Sequence, residues 1–250
     1  MSFSLQRFDL AEMLRCGREL GRTIMGTDTL EQAAGGIVRY LYDTCRDEAS
    51  GDRECALVRF FVTQPYHALP APLQQAACGV MGCPPGSEGM NCLTLMATAG
   101  REPAWNDRRR SEGHQVLPLQ DVRMVDRVPM VSELFRSLGV DRQALVSRDT
   151  ELLRREGEGK MYRVFFVPRA LDSPFIPAQD EFVRPYGIRS VLGWGGVLSS
   201  GELFAVILFT RADIPEESAD RFRHVALDVK AALSLVPRTT FDPEEAPSGA

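Results

Sequence analysis

The chain has 250 residues, a formal net charge of −5 and 44% hydrophobic residues, which is enough apolar material for one domain with its own core. The negative charge argues against a general affinity for nucleic acid or anionic membranes, and there is neither a signal-peptide pattern nor an apolar run of the roughly 18 residues that span a bilayer. We therefore expect a cytoplasmic protein without nucleic-acid or membrane partners, whose six cysteines are reduced.

Helical spacing of apolar residues predicts two N-terminal helices. The first carries a narrow apolar seam formed by Leu10, Met13, Gly17, Leu20 and Ile24. Such a seam suits either a partner helix or the domain's own core. Asp28 is the predicted N-cap of the second helix, which continues to about residue 45.

Runs of β-branched and aromatic residues predict the strands. They lie at 55–63, 92–99 and 161–167, and in a hairpin on either side of Ser199-Ser200-Gly201. Between them, short helices are predicted at 73–81, 120–127 and 129–138, with VLPL leading into the second of these, and a last helix starts at Pro215. This order predicts an α+β fold with a mainly antiparallel sheet of five or six strands flanked by helices.

The predicted boundaries give a single domain over 1–236 and a polar tail over 237–250, which we expect to be disordered because it has little apolar surface to bury. The basic patch Arg108-Arg109-Arg110 falls in a polar connection at 100–114 and is interpreted as a solvated loop.

Glycines interrupt the first strand of the hairpin, in the stretch GIRSVLGWGGVLSS. By strand alternation, Gly193 and Gly195 share one face, and Trp194 and Gly196 share the other. Glycine within a strand often marks the close approach of another backbone or a ligand. The face that carries Gly193 and Gly195 lacks side chains at these positions and is therefore flat. This predicts that a helix or a bound molecule lies directly on the sheet there.

The chain resembles a GAF domain, a small-ligand sensory module. The resemblance covers about residues 10–235 and is strongest where VFFV is followed by a variable loop, by YGIRSVLGWGGVLSSGELFAVILF and by the closing ALDVKAAL helix. The phrase SPFIPAQDEFVRPYGIRSVLGWGG resembles a subgroup found as sensor segments of bacterial signalling proteins such as histidine kinases.

The resemblance implies a bacterial sensory module that acts in trans and binds a small molecule or a signalling partner such as a histidine kinase. The homodimer is predicted from the apolar seam of the first helix and the apolar stripe of the last, Phe222, Val225, Val229 and Leu233, because one sheet face cannot easily cover both; the alternative is a monomer whose seam is wholly internal. Neither the Cys-His pair of bilin-binding relatives nor the Asn-Lys-Phe-Asp-Glu signature of cyclic-nucleotide-binding relatives is present, so the cofactor and the ligand remain unknown. Two alternatives stay open. One is a cysteine-dependent redox enzyme of the methionine sulfoxide reductase type, and the other is a ligand-free dimerisation or interaction domain.

Candidate binding residues come from charged and aromatic side chains within otherwise apolar strands and from the variable loop. We predict that Arg163, Phe175, Arg189 and Trp194 line an enclosed pocket between the sheet and the loops at 100–140 and 168–186. Arg59, Arg163 and Arg189 each lie in an otherwise apolar strand. Two of them on one face would bind a carboxylate or phosphate, whereas the alternatives are pairing with an acidic side chain from a loop or extension of the side chain to the strand end.

No catalytic residue and no metal ligand are predicted. Cys78, Cys83 and Cys92 form the nearest approach to a metal or redox cluster, but their spacing does not match a paired zinc motif.

Overall fold

The centre of the protein is one antiparallel sheet in which six strands are described. The structure is a computed structural model that describes residues 2–81, 90–111, 113–147, 153, 163–237 and 239–243. The strands are β1 Cys55–Pro65, β2 Asn91–Gly100, β3 Val116–Leu119, β4 Phe165–Val167, β5 Ser190–Val197 and β6 Leu203–Thr210. Their order across the sheet is β3-β2-β1-β6-β5-β4, so β3 and β4 are the edges. The predicted α+β class is confirmed, and the arrangement is consistent with a GAF-like fold.

Helices and loops cover both faces of this sheet. The helices are α1 Leu10–Ile24, α2 Leu30–Thr44, α3 Ala71–Met81, α4 Val122–Asp126, α5 Pro129–Ser137, α6 Arg142–Ser147, α7 Arg184–Tyr186 and α8 Glu216–Leu233. One apolar cluster joins α1, α2 and α8 to the first face, called face A. A second cluster joins α4 to α6 and the chain at 170–188 to the opposite face, called face B.

Two local predictions are wrong. The VLPL segment is not a lead-in to a helix but the edge strand β3, which pairs with β2. Pro118 is tolerated there because an edge strand can leave one side without ladder hydrogen bonds. The N-cap of α2 is Thr29 rather than Asp28, since the Thr29 hydroxyl accepts a hydrogen bond from the Gln32 amide at 3.1 Å.

Helices α1 and α8 lie side by side and run in the same direction. Phe8, just before α1, stacks on Phe222 with ring centroids 4.5 Å apart, and Gly17 further along α1 lies against Asp228. The predicted α1 seam faces inward, because Met13 and Leu20 are 7% and 0% exposed. Most of the seam therefore belongs to the domain's own core.

A helix lies on one of the glycines of β5. A Cβ atom at Gly193 would stand 3.0 Å from a ring carbon of Phe165 and 3.1 Å from a methyl carbon of Leu134 in α5. The predicted close approach of a helix to the flat side of β5 is therefore present at this position.

The chain continues to pack on the domain past residue 236, where the sequence places the start of the tail. Phe241 is buried in the face A cluster, and the main chain of Thr239 and Thr240 hydrogen-bonds to the start of α2. The described residues 239–243 thus pack against the domain.

Candidate functional site

The two aromatic residues predicted to bind a ligand lie on opposite faces of the sheet. Trp194 is fully buried on face A, with its ring centroid 6.4 Å from that of Phe204 and 6.2 Å from that of Phe222. Phe175 is half-buried on face B, where it packs edge-to-face on Phe165 at 6.4 Å. The sheet separates these side chains, so no single pocket contains both of them.

The predicted strand arginines do not converge either. Arg189 is exposed and forms an ion pair with Asp213, so the predicted alternative of pairing with an acidic side chain from a loop is present here. Arg163 is exposed and lies two residues before β4, at one edge of the sheet. Arg59 lies on the central strand β1 and is the one that points into a covered part of the domain.

Arg59 is held beneath the loop that follows β2. Its Nη2 atom donates a hydrogen bond to the Ser111 hydroxyl at 2.9 Å, and Gly113 lies close over the guanidinium. Burial lowers the pKa of Arg59 to about 10. The pKa of His114 is lowered as well, first by burial and then by the positive charge of Arg59. Both shifts disfavour the charged forms and indicate a poorly hydrated position.

The space predicted for an enclosed ligand is filled by side chains where the structure describes it. Trp105 from the loop after β2 packs on Tyr186 with centroids 4.5 Å apart, and Phe182 packs on Phe209 of β6 at 5.0 Å. Further buried residues from α4 to α6 continue the same layer: Val125, Val131, Leu134, Phe135, Ala144 and Leu145. Face B is therefore a second hydrophobic core along these residues.

An open groove runs along the sheet edge at β4 and is called the edge groove. Its volume is about 1010 Å³, and Val164, Phe166 and Ile214 supply apolar lining. One wall is the start of α8, with Glu216, Glu217, Asp220 and Arg223; the other is α5 with Glu133, Arg136 and Ser137. Of the four predicted binding residues, Arg163 is the one that lines this groove.

Most charges of the edge groove neutralise one another locally. Asp220 pairs with Arg223 at 2.9 Å, and Glu133 pairs with Arg136 one turn away in α5. Among the residues that the structure describes, neither Arg163 nor Glu216 forms an ion pair. The described part of the groove thus combines an apolar lining with a basic and an acidic side chain, a surface suited to a segment that carries both signs of charge.

The free cysteines described by the structure are buried. They are Cys16, Cys45, Cys55 and Cys92. Burial raises the pKa of Cys16 and Cys45, and raises that of Cys92 to about 12, so these thiols are poor nucleophiles at neutral pH.

Cys78 differs from these four thiols because it is disulfide-bonded, which makes the expectation of six reduced cysteines wrong at this position. Its sulfur also lies 3.1 Å from the Tyr66 hydroxyl. Cys83 falls outside the described residues.

No cluster of three or more potential metal-ligating side chains occurs in the part of the chain that the structure describes. None of the helices in these described residues is long and apolar enough to cross a bilayer.

Sequence reasoning missed the acidic wall of the edge groove. Glu216, Glu217 and Asp220 were visible only as the polar start of the last helix, where acidic residues also favour the helix N-terminus. Their nearness to Arg163 arises because α8 begins beside the far edge of the sheet. That adjacency joins residues more than 50 positions apart, which no local pattern reveals.

No family model and no curated protein matches the chain. Among solved structures, the GAF domain of a phosphoenolpyruvate-protein phosphotransferase from Coxiella burnetii is similar at 14% identity and a TM-score of 0.44, over 89% of this chain and 92% of that one. The free methionine-R-sulfoxide reductase from Neisseria meningitidis, solved with its substrate, gives 11% identity and 0.44 over 89% and 88%. The phycoerythrobilin-bound GAF domain of a cyanobacterial phytochrome gives 10% and 0.44 over 89% and 94%. Likenesses this distant carry no argument about function.

Proposed function

We propose that this protein is a bacterial regulatory module of the GAF type that binds a signalling partner in its edge groove and acts on that partner in trans. The observation that carries the proposal is the contrast between the two candidate spaces. The interior expected to enclose a small molecule is packed with side chains, whereas the edge groove is open, about 1010 Å³ in volume and lined by charges of both signs.

The chemistry of the groove favours a protein segment over an enclosed small molecule. Small-molecule sites are concave, mostly apolar and bury most of their ligand. The edge groove instead places Arg163 and Glu216 around the apolar residues Val164, Phe166 and Ile214. An apolar anchor flanked by an acidic and a basic side chain would satisfy this pattern. Among signalling proteins, the sequence resemblance makes a histidine kinase the first partner class to test.

Site-specific cross-linking followed by binding measurements tests the proposal. A photoreactive amino acid at Arg163 should cross-link a partner in the cells of origin, and the same probe at the exposed Arg39 of α2 should not. With the partner purified, Arg163→Glu or Glu216→Arg should each weaken binding about tenfold or more, because each puts a like charge opposite the partner. Arg39→Glu serves as the matched control.

Native mass spectrometry of the purified protein distinguishes the small-molecule version of the function. The protein would instead be a sensor with its site on face B if it retains a ligand that is lost when Arg59 is replaced. In that case Arg163→Glu and Glu216→Arg would both keep the ligand. An unchanged affinity of the purified partner for the groove variants would also overturn the proposal.

We further propose that the module is a homodimer that pairs through the outer side of α1. Leu10 and Leu14 lie one helical turn apart and are 61% and 56% exposed, whereas Met13, Cys16, Leu20 and Ile24 of the same helix are buried. Burying such side chains across a two-fold axis is the commonest arrangement for soluble homo-oligomers.

A second candidate function is thiol redox chemistry, which the disulfide at Cys78 favours. The reduced protein would then lose free thiols when it is mixed with free methionine sulfoxide, and Cys78→Ser would abolish the loss. An unchanged thiol count in the wild-type protein excludes this function.

A further inference from the structure

The segment 239–243 lies across the N-terminal end of α2 in the manner of a bound peptide. The carbonyl oxygens of Thr239 and Thr240 accept hydrogen bonds from the amides of Leu30 and Glu31, each at 3.0 Å. These amides belong to the first turn of α2, where N–H groups have no acceptor within the helix. The segment thus satisfies donors that would otherwise need water or a capping side chain.

Asp242 adds side-chain recognition to these main-chain contacts. Its Oδ1 atom accepts hydrogen bonds from the Thr29 hydroxyl at 2.7 Å and from the side-chain amide nitrogen Nε2 of Gln32 at 3.0 Å. Its own amide donates to Glu31 Oε2 at 3.1 Å. A carboxylate at this place is also favoured by the positive end of the helix dipole.

Arg108 completes the site from the loop after β2. Its Nε atom donates to Glu31 Oε1 at 2.7 Å, and the two side chains are only 6% and 11% exposed. Its guanidinium carbon lies 5.6 Å from the ring centroid of Phe241, which is 4% exposed. The ring therefore fills a pocket under a cation, an arrangement that stabilises aromatic side chains.

The segment has the features of a separable ligand. It follows Pro237, ends at Pro243 and contributes to none of the helices or strands described. Hydrogen bonds and the buried ring of Phe241 hold it in place. Pro237 also prevents α8 from continuing into it. Such a segment can detach without disrupting the sheet or the helices, because local opening of a segment outside them leaves their hydrogen bonds intact.

We propose that the start of α2 together with Arg108 is a peptide-binding site, occupied in cis by residues 239–243, that accepts in trans a short segment in which an aromatic residue is followed by an acidic one. This inference is independent of the edge groove. In the intact chain the resident segment competes through its high effective concentration, so a peptide in trans binds only weakly until the resident segment is released.

Peptide binding to the full chain tests the site. The probe is a fluorescently labelled peptide with the sequence of residues 238–245, RTTFDPEE. A chain that carries Phe241→Ala and Asp242→Asn has a weakened resident segment, and fluorescence anisotropy should show it binding the probe at least about tenfold more tightly than the wild type does. A probe with the same two changes is the matched control and should not bind.

Amide hydrogen exchange in the wild type tests the same proposal without the variant, which matters if the variant fails to fold. The amide of Asp242 should exchange slowly with solvent, and excess unlabelled RTTFDPEE should speed its exchange while the changed peptide should not. Equal affinity of the probe for wild type and folded variant, no difference between the two probes, or an Asp242 amide that is unprotected would each overturn the proposal.

Discussion

Gly195 of β5 lies so close to the main chain of β6 that a Cβ atom there would stand 2.1 Å from the carbonyl oxygen of Phe204. It would also stand 2.9 Å from the Cα atom of Ala205. The obstacle is therefore the neighbouring strand rather than a helix or a ligand. Phe204 cannot retreat freely, because it also pairs with Val62 of β1 on its other side.

Gly195→Ala should lower the free energy of unfolding by about 2–3 kcal/mol, since two strands must move apart to admit one methyl group. Urea unfolding measures the change. Gly35→Ala in α2 is the matched control, because nothing lies within 4 Å of a Cβ atom at that position. It should be neutral or stabilising by up to about 1 kcal/mol. Equal midpoints for Gly195→Ala and the wild type would show that the close approach has no energetic consequence.

The ion pair between Arg108 and Glu31 gives a second prediction. Arg108→Met should lower the free energy of unfolding by about 3–5 kcal/mol, because it leaves the Glu31 carboxylate poorly hydrated and without its cation. Arg110→Met changes an exposed side chain in the same run and should alter stability by no more than about 0.5 kcal/mol. If both variants unfold at the same urea concentration, the pair contributes nothing and Arg108 behaves as the solvated loop residue that the sequence predicts.

Periodicity was sufficient for most of the fold. The apolar spacing of α1 and the β-branched runs of β1, β2 and the β5–β6 hairpin predict these elements to within a few residues, because burial determines both the pattern and the element. β3 escaped prediction since Pro118 normally argues against a strand, and only its position at the edge makes it acceptable.

The site was much less predictable. The strand arginines have the same appearance in sequence, yet Arg189 pairs with Asp213, Arg163 lines the edge groove and Arg59 is held under the loop at Ser111. The environment of each arginine depends on the partner that tertiary packing brings next to it. Likewise, nothing local distinguishes Arg108 from its two neighbours, because Glu31 and Phe241 reach it from opposite ends of the chain.

The buried thiols give a prediction about pH. The pKa values of Cys16, Cys45 and Cys92 are raised by burial, to about 12 for Cys92, above the value of about 8.5 for an unfolded chain. The folded state therefore retains thiol protons that the unfolded state loses. The contribution of these thiols to the free energy of unfolding should be fully present below about pH 8.5. Above that pH, the free energy of unfolding should fall by about 1.4 kcal/mol per pH unit for each thiol.

Urea unfolding at pH 8, 9 and 10 measures this slope, and Cys92→Ala isolates one thiol. The variant is expected to be less stable than the wild type at pH 8, because it loses buried volume, but its stability should fall less steeply with pH. The difference between the two slopes should be about 1.4 kcal/mol per pH unit. Parallel slopes would mean that the Cys92 thiol ionises as readily in the folded protein as in the unfolded chain.

The last prediction concerns assembly through α1. Glutamate at Met13 and Leu20 should unfold the protein, because both side chains lie in the core of the domain. Leu10→Glu with Leu14→Glu should leave the fold intact, since both side chains are more than half exposed. Sedimentation at tens of micromolar should then show a dimer for the wild type and a folded monomer for the Leu10/Leu14 variant, with Arg39→Glu on α2 remaining a dimer. A wild type that sediments as a monomer would remove the homodimer from the proposed function and leave the exposed leucines of α1 without a partner from a second copy.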